Sequence, residues 1–204
     1  MKLKMFLCGW LVLIGIPTVW AGDETHGGLR DTTVLIIRHA EKPTSGWVLA
    51  PAGVARAQAY PEYFKHLVLD GQPVKIETLF AAANSKGSHR PWLTIEPTSR
   101  ALGLPIDARF ADKNFAALAQ ELKAHPHGRT ILIAWHHGEI PSLLQSLGAN
   151  PAALLPGGKW PAEVFGWMMV LHYDAAGHLI KAQRINEHLM PDDDIQPAGK
   201  HAAE

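Results

Sequence analysis

Two apolar runs constrain this chain more than any other feature: Thr32 to Ile37 (TTVLII) and Thr130 to Trp135 (TILIAW). Each is short, rich in β-branched residues and without polar alternation, which is the pattern of a buried strand. Each also ends in an unusual way. Arg38-His39 follows the first, and His136-His137 follows the second. A strand that only packs in a core stops more often at a turn signal than at adjacent cation-forming side chains.

Helical periodicity fills the space between and after these runs. Val54, Ala57, Tyr60, Phe64 and Leu67 recur at spacings of three and four over residues 51–69, with Pro61 expected to kink or divide the helix. Residues 76–82 form a second short strand candidate. Residues 84–91 (NSKGSHRP) have loop chemistry, and residues 94–102 read as a helix stopped by Gly103. Phe115, Leu118 and Leu122 mark an amphipathic helix over 114–124, and residues 141–147 a further helix closed by Gly148. Residues 165–173 and 179–184 flank DAAGH as a hairpin. Strands alternating with helices give an α/β fold around a largely parallel sheet. In such sheets ligands sit at the carboxyl ends of the strands, which is where both histidine pairs lie.

At 204 residues the chain holds one domain with a substantial core. Residues 1–21 read as a separate signal peptide: Lys2 and Lys4 precede an apolar run, and Val19-Trp20-Ala21 suits a cleavage site. The expected organisation is 1–21 signal peptide, 22–190 folded domain and 191–204 polar, loose tail, with export to the periplasm or medium. No stable membrane insertion is expected after cleavage. The single cysteine, Cys8, lies inside the leader, so the mature chain would carry no thiol, disulfide or cysteine-ligated metal. The 19 basic and 19 acidic residues balance, so no global field draws the protein to nucleic acid or anionic membrane. Any anion must be held by a local cluster.

Arg38-His39 supplies such a cluster with a guanidinium fork and an imidazole able to act as nucleophile or base near neutral pH. Alone, the pair is as well explained by a surface ion pair and a capping residue. The second histidine-tipped strand on the same sheet edge turns that balance toward chemistry.

At this point LIIRHAEK (residues 35–42) resembles the signature of the histidine phosphatase superfamily, also called phosphoglycerate mutase-like, whose first strand ends in Arg-His-Gly or Arg-His-Ala. ILIAWHHGEIPSLL (residues 131–144) is similar to the segment carrying the family's second histidine. The loop before residues 94–102 has the character of the segment with a further phosphate-binding arginine, which makes Arg90 the candidate. The similarity covers about Thr32 to Gly148. It implies a three-layer α/β/α sandwich with a mostly parallel sheet, phosphoglycerate mutase-like, and a metal-independent hydrolysis of a small phosphomonoester with no cofactor. His39 would attack phosphorus to form a phosphohistidine that water then cleaves. Arg38, Arg90 and the second histidine would hold the phosphoryl oxygens. Its neutral His39 would need a fixed acceptor, such as a backbone carbonyl, for its other nitrogen.

Two positions depart from the family pattern. The histidine is doubled: counting back from Ile140-Pro141 favours His136, whereas the His-Gly pairing favours His137, taken as the first choice. Alternation along a strand would let only one of them face phosphate. The general acid is also undecided. Glu139 follows the doublet most closely, although a first-turn helix acid explains it equally well. Glu96 and Asp112 remain candidates, and Glu41 is a weaker one that could pair with Lys42. Ser85, Ser88 and Lys86 could donate to phosphate, yet loop serines more often serve turns. His89, His125 and His127 invite a metal reading that a helix end explains better. Trp92, Trp160 and Trp167 are read as packing. The competing classes are a non-catalytic phosphate-binding envelope protein and a histidine-rich metal binder resting on 12 His. Neither substrate identity nor oligomeric state is encoded legibly.

Overall fold

The computed structural model describes residues 27–194. The expected leader and residues 195–204 of the expected tail lie outside them. The two apolar runs form strands β1 (Thr33–Arg38) and, counted in chain order, β6 (Thr130–Trp135). They pair in parallel, with Thr33 opposite Thr130 and Arg38 opposite Trp135. Four further strands complete the main sheet: β4 (Thr78–Ala81), β5 (Ile106–Asp107), β7 (Trp167–Tyr173) and β8 (Leu179–Asn186), in the order β5-β4-β6-β1-β7-β8. The β5, β4, β6 and β1 strands run parallel; β7 and β8 form the antiparallel hairpin read around DAAGH.

The strands lack alternation because both sides of the sheet are covered. Val34, Ile36, Ile131, Ile133 and Trp135 point into a core closed by α3 (Phe115–Ala124), α4 (Ile140–Ser146) and α5 (Pro151–Leu154). Leu35, Ile37, Leu132 and Ala134 point the other way, onto α1 (Pro51–Lys65) and α2 (Arg90–Leu102). This is an α/β/α sandwich with a mixed, mostly parallel six-stranded sheet.

Three expectations are corrected. Pro61 does not divide α1; the helix continues through it to Lys65. Ala57, Tyr60 and Phe64 are buried on one face either side of the proline, with the Tyr60 and Phe64 rings stacked at 5.2 Å. That burial outweighs the missing hydrogen bond. Beyond Lys65 the expected last helical turn is instead a small hairpin of β2 (Val68–Leu69) and β3 (Gln72–Pro73). Likewise α2 begins four residues earlier than the periodicity suggested, at Arg90, with Pro91 in its first turn where a missing N–H costs nothing. Gly103, at φ +67, closes it and donates its N–H to Ser99 O.

Structure also continues into the stretch read as tail. Pro191–Asp194 forms a 3-10 turn, and the Asp193 carboxylate receives two N–H groups of Arg56, at 2.9 and 2.6 Å.

Candidate active site

The parallel register of β1 and β6 brings the histidines together. His39 N–H donates to Trp135 O at 2.9 Å, extending the ladder one step past the Arg38 and Trp135 pair. The next residues, His39 and His136, face one another with ring centroids 5.1 Å apart. The His137 ring lies 6.5 Å from His39, and its Nδ1 is 3.4 Å from Arg38 Nη2. Both members of the doublet therefore reach the same place. Strand alternation does not separate them because β6 ends at Trp135 and residues 137–139 turn into α4. The nearer ring to His39 is that of His136, while His137 is the one beside Arg38.

His39 is almost wholly buried, and its Nδ1 is 2.7 Å from the carbonyl of Ala40. A carbonyl only accepts, so Nδ1 carries the proton and Nε2 is left with its lone pair. Burial pushes the His39 pKa down to about 2, with the charge of Arg38 acting in the same direction and the Ala40 bond opposing it. The ring is thus neutral throughout the physiological range. The Ala40 backbone is itself fixed: its N–H donates to Thr94 Oγ1 at 2.9 Å, and Thr94 Oγ1 donates to Arg90 O at 2.7 Å. Thr94, one turn into α2, thereby ties the turn that sets the His39 tautomer to the residue carrying the second guanidinium.

Arg38 is fully buried at the strand end. Its Nη1 donates to the carbonyls of Ala162 (2.8 Å) and Val164 (2.7 Å), and its guanidinium lies 3.8 Å from the centre of the Phe165 ring. Burial pulls its pKa down to about 9, which leaves it charged at neutral pH. Arg90 donates from Nη1 to Gly46 O at 3.1 Å, and its charge is among those that lower His39 and His136. Among the described residues neither arginine has a carboxylate in ion-pair contact, and the Nε of each is a buried donor without a partner. Burial also lowers His136, and lowers His137 to about 4. Two guanidinium groups with spare donors and no counter-ion, around neutral imidazoles, make an environment suited to an oxyanion.

Among the described residues, the side chains of the other candidates make no hydrogen bond or ion pair with His39, His136 or Arg38. Ser85 is exposed, and its hydroxyl accepts the N–H groups of Gly87 and Ser88 in a turn. Ser88 accepts the Arg90 N–H at 3.3 Å at the start of α2. Glu139 caps α4, where its backbone N–H donates to His136 O, but its carboxylate makes no hydrogen bond or ion pair with a described residue. Glu96 pairs with Arg100 at 2.9 Å. Glu41 pairs with Arg56, at 2.7 Å, and not with Lys42. His125 and His127 close on Glu121 at 3.3 and 3.2 Å. Trp160 and Trp167 are buried against each other, as the packing reading expects. Asp112 is different. It begins the turn before α3, its carbonyl accepts Trp135 Nε1 at 3.0 Å, and its negative charge raises the His136 pKa against the effect of burial.

No family model matches the sequence, and no curated protein sequence matches it. Solved structures do. An Escherichia coli protein provisionally named an alpha-ribazole-5'-P phosphatase matches at 14% identity, over 76% of this chain and 95% of its own, with a TM-score of 0.50. The protein histidine phosphatase SixA, complexed with tungstate, matches at 18% identity over 76% and 97%, TM-score 0.49. A phosphoglycerate mutase from Plasmodium falciparum matches at 16% identity over 73% and 87%, TM-score 0.49. At such identities the likeness is one of fold. The chain shares the α/β fold of the Escherichia coli structure.

Proposed function

We propose that this protein hydrolyses a phosphomonoester through a phosphohistidine on His39 Nε2. One observation carries the reading: the Nδ1 proton of a buried, neutral His39 is fixed on Ala40 O, which leaves Nε2 as a nucleophile beside His136 and Arg38. Arg38, Arg90 and His136 would neutralise charge on the phosphoryl oxygens while Nε2 attacks phosphorus. As the P–O bond to the leaving group breaks, the departing oxygen takes a proton. Asp112 is assigned that donation in place of Glu139, because the charge of Asp112 bears on His136 and the Glu139 carboxylate makes no hydrogen bond or ion pair with a described residue. In the second step Asp112 removes a proton from water, the water oxygen bonds to phosphorus, and the P–N bond breaks. Inorganic phosphate and free His39 result. Side chains fill every role in this scheme.

The test is a rapid-quench reaction with a labelled aryl phosphate. The expected result is a burst of leaving group matched by acid-labile, base-stable label on the protein. Both should vanish in His39→Ala, with turnover down about a thousandfold or more. Wild-type turnover in that variant removes the mechanism. Phosphate binding without burst or label would leave only the non-catalytic, phosphate-binding reading. The same proposal takes the protein as exported, on the strength of residues 1–21, and a mature N-terminus near Gly22 in an extracytoplasmic fraction would support it.

A further inference from the structure

We propose that Trp47 forms a subsite for the leaving group of the substrate, selecting alcohols that carry a planar aromatic or heteroaromatic ring. The inference rests on the phosphomonoester reading above and concerns what lies beyond the phosphorus. Among the described residues Trp47 is the one aromatic side chain left exposed, at 48%. The rings of Phe165, Trp160 and Trp167 are already engaged. The face of Phe165 carries the Arg38 guanidinium, Trp167 carries that of Arg184 at 4.1 Å, and Trp160 packs on Trp167. An exposed tryptophan on a loose loop would mean little, but this loop is tied to the site. Gly46 O accepts Arg90 Nη1, and Trp47 O accepts the His89 N–H at 2.9 Å. The Trp47 ring rests on the His89 ring at 4.3 Å. Gly46, at φ +102, adopts a left-handed conformation that a side chain would resist, so the turn presenting Trp47 is set by the backbone.

The direction of the chemistry points the same way. His39 is buried, so it attacks from the protein side, and an in-line displacement drives the leaving oxygen outward, away from the sheet. The loop attached to Arg90 is at that rim. A planar group stacking on Trp47 would cover apolar surface that otherwise stays in water, while its phosphate is held by the arginines.

The experiment measures equilibrium binding to the full chain carrying His39→Ala, which prevents turnover. Two matched pairs separate ring planarity from leaving-group reactivity: phenyl phosphate against cyclohexyl phosphate, and adenosine 5'-monophosphate against ribose 5-phosphate. Inorganic phosphate serves as competitor for all four. In at least one pair the ring-bearing ester should bind about five- to a hundredfold more tightly, the range one base gains by stacking on one aromatic side chain. That ratio should collapse toward one when Trp47→Ala is added and survive with Trp47→Phe. Ratios near one in both pairs before Trp47 is touched overturn the subsite, as does a preference that survives Trp47→Ala. Both results leave the phosphate site standing. Failure of inorganic phosphate to compete with any ester overturns the phosphate reading and the subsite together.

Discussion

Replacing Glu187 by glutamine should remove the loss of stability that Glu187 contributes as pH rises from 6.5 to 8. Glu187 lies with Glu41 and Asp193 around Arg56, which is the cation of the group. Arg56 gives two hydrogen bonds to Asp193, at 2.9 and 2.6 Å, and a 2.7 Å bond to Glu41; its nearest approach to Glu187 is only 3.6 Å. Two carboxylates therefore share the guanidinium, and the third lacks full compensation. The Glu187 side chain is wholly buried, receives one bond from the Tyr60 hydroxyl at 2.9 Å, and has no partner for Oε1. Burial pushes its pKa up from 4.5 to about 8, with Asp193 and Glu41 adding to the rise and Arg56 opposing it.

The sign follows directly. Between 4.5 and about 8 the folded chain holds a proton on Glu187 that the unfolded chain has released, so stability falls as pH rises. His39, His136, His137 and His172 are all lowered in the fold and act in the opposite sense wherever the unfolded imidazoles, with pKa near 6.5, still bind protons, which includes the lower part of this range. Arg38 begins to matter only near its folded value of about 9. Glutamine keeps the shape and the acceptor for Tyr60 and cannot titrate, so both proteins carry the same imidazole contribution and the difference between them isolates Glu187. One proton contributes about 1.4 kcal/mol per pH unit and Glu187 is half released by about pH 8, so the wild type should lose about 1.5 kcal/mol relative to Glu187→Gln between pH 6.5 and 8. Urea denaturation would show this as a gap between the two midpoints that shifts by roughly 1 M across those buffers at constant slope. A gap that stays constant across the same buffers refutes the assignment of the proton to Glu187.

Three further outcomes follow from the site. Asp112→Asn should slow alkyl phosphates about a hundredfold or more and aryl phosphates, which need little protonation, far less; Glu139→Gln should leave both within a fewfold, and the reverse pattern in paired substrate assays would exchange the roles. His136→Ala should slow phosphohistidine formation by about a hundredfold or more, while His137→Ala, whose ring is farther from His39 and close to Arg38, should act mainly on substrate affinity in single-turnover measurements. Gly53→Ala would normally gain about 1 kcal/mol in a helix, yet its Cβ would stand 2.4 Å from Glu41 O and 2.8 Å from Glu41 N, so denaturation should show a net loss and turnover should drop as the turn after His39 shifts; a stabilised, fully active variant would contradict this.

What the sequence makes legible here is what is local. β1 and β6 declare themselves by unbroken apolar runs, and because parallel strands present their carboxyl ends together, Arg38, His39 and His136 come to one edge with no further information needed. The misreadings come from long-range packing. Pro61 looks like a break until Tyr60 and Phe64 are seen buried on the sheet side. The expectation that alternation would let only one of His136 and His137 face the site assumed a strand that in fact ends at Trp135.

The same division runs through the chemistry. His39 is written in the motif, but which of its nitrogens is free depends on Ala40, whose backbone is held by Thr94, 54 residues away in sequence. Arg38 is also in the motif, yet the carbonyls of Ala162 and Val164 and the ring of Phe165 fix its fork, and those residues carry no pattern of their own. Carbonyl groups hold its Nη1 without cancelling its charge, whereas a carboxylate partner would do both. The site thus keeps a positive charge in a buried position, and under the proposed hydrolysis that charge would favour an incoming phosphoryl dianion over water.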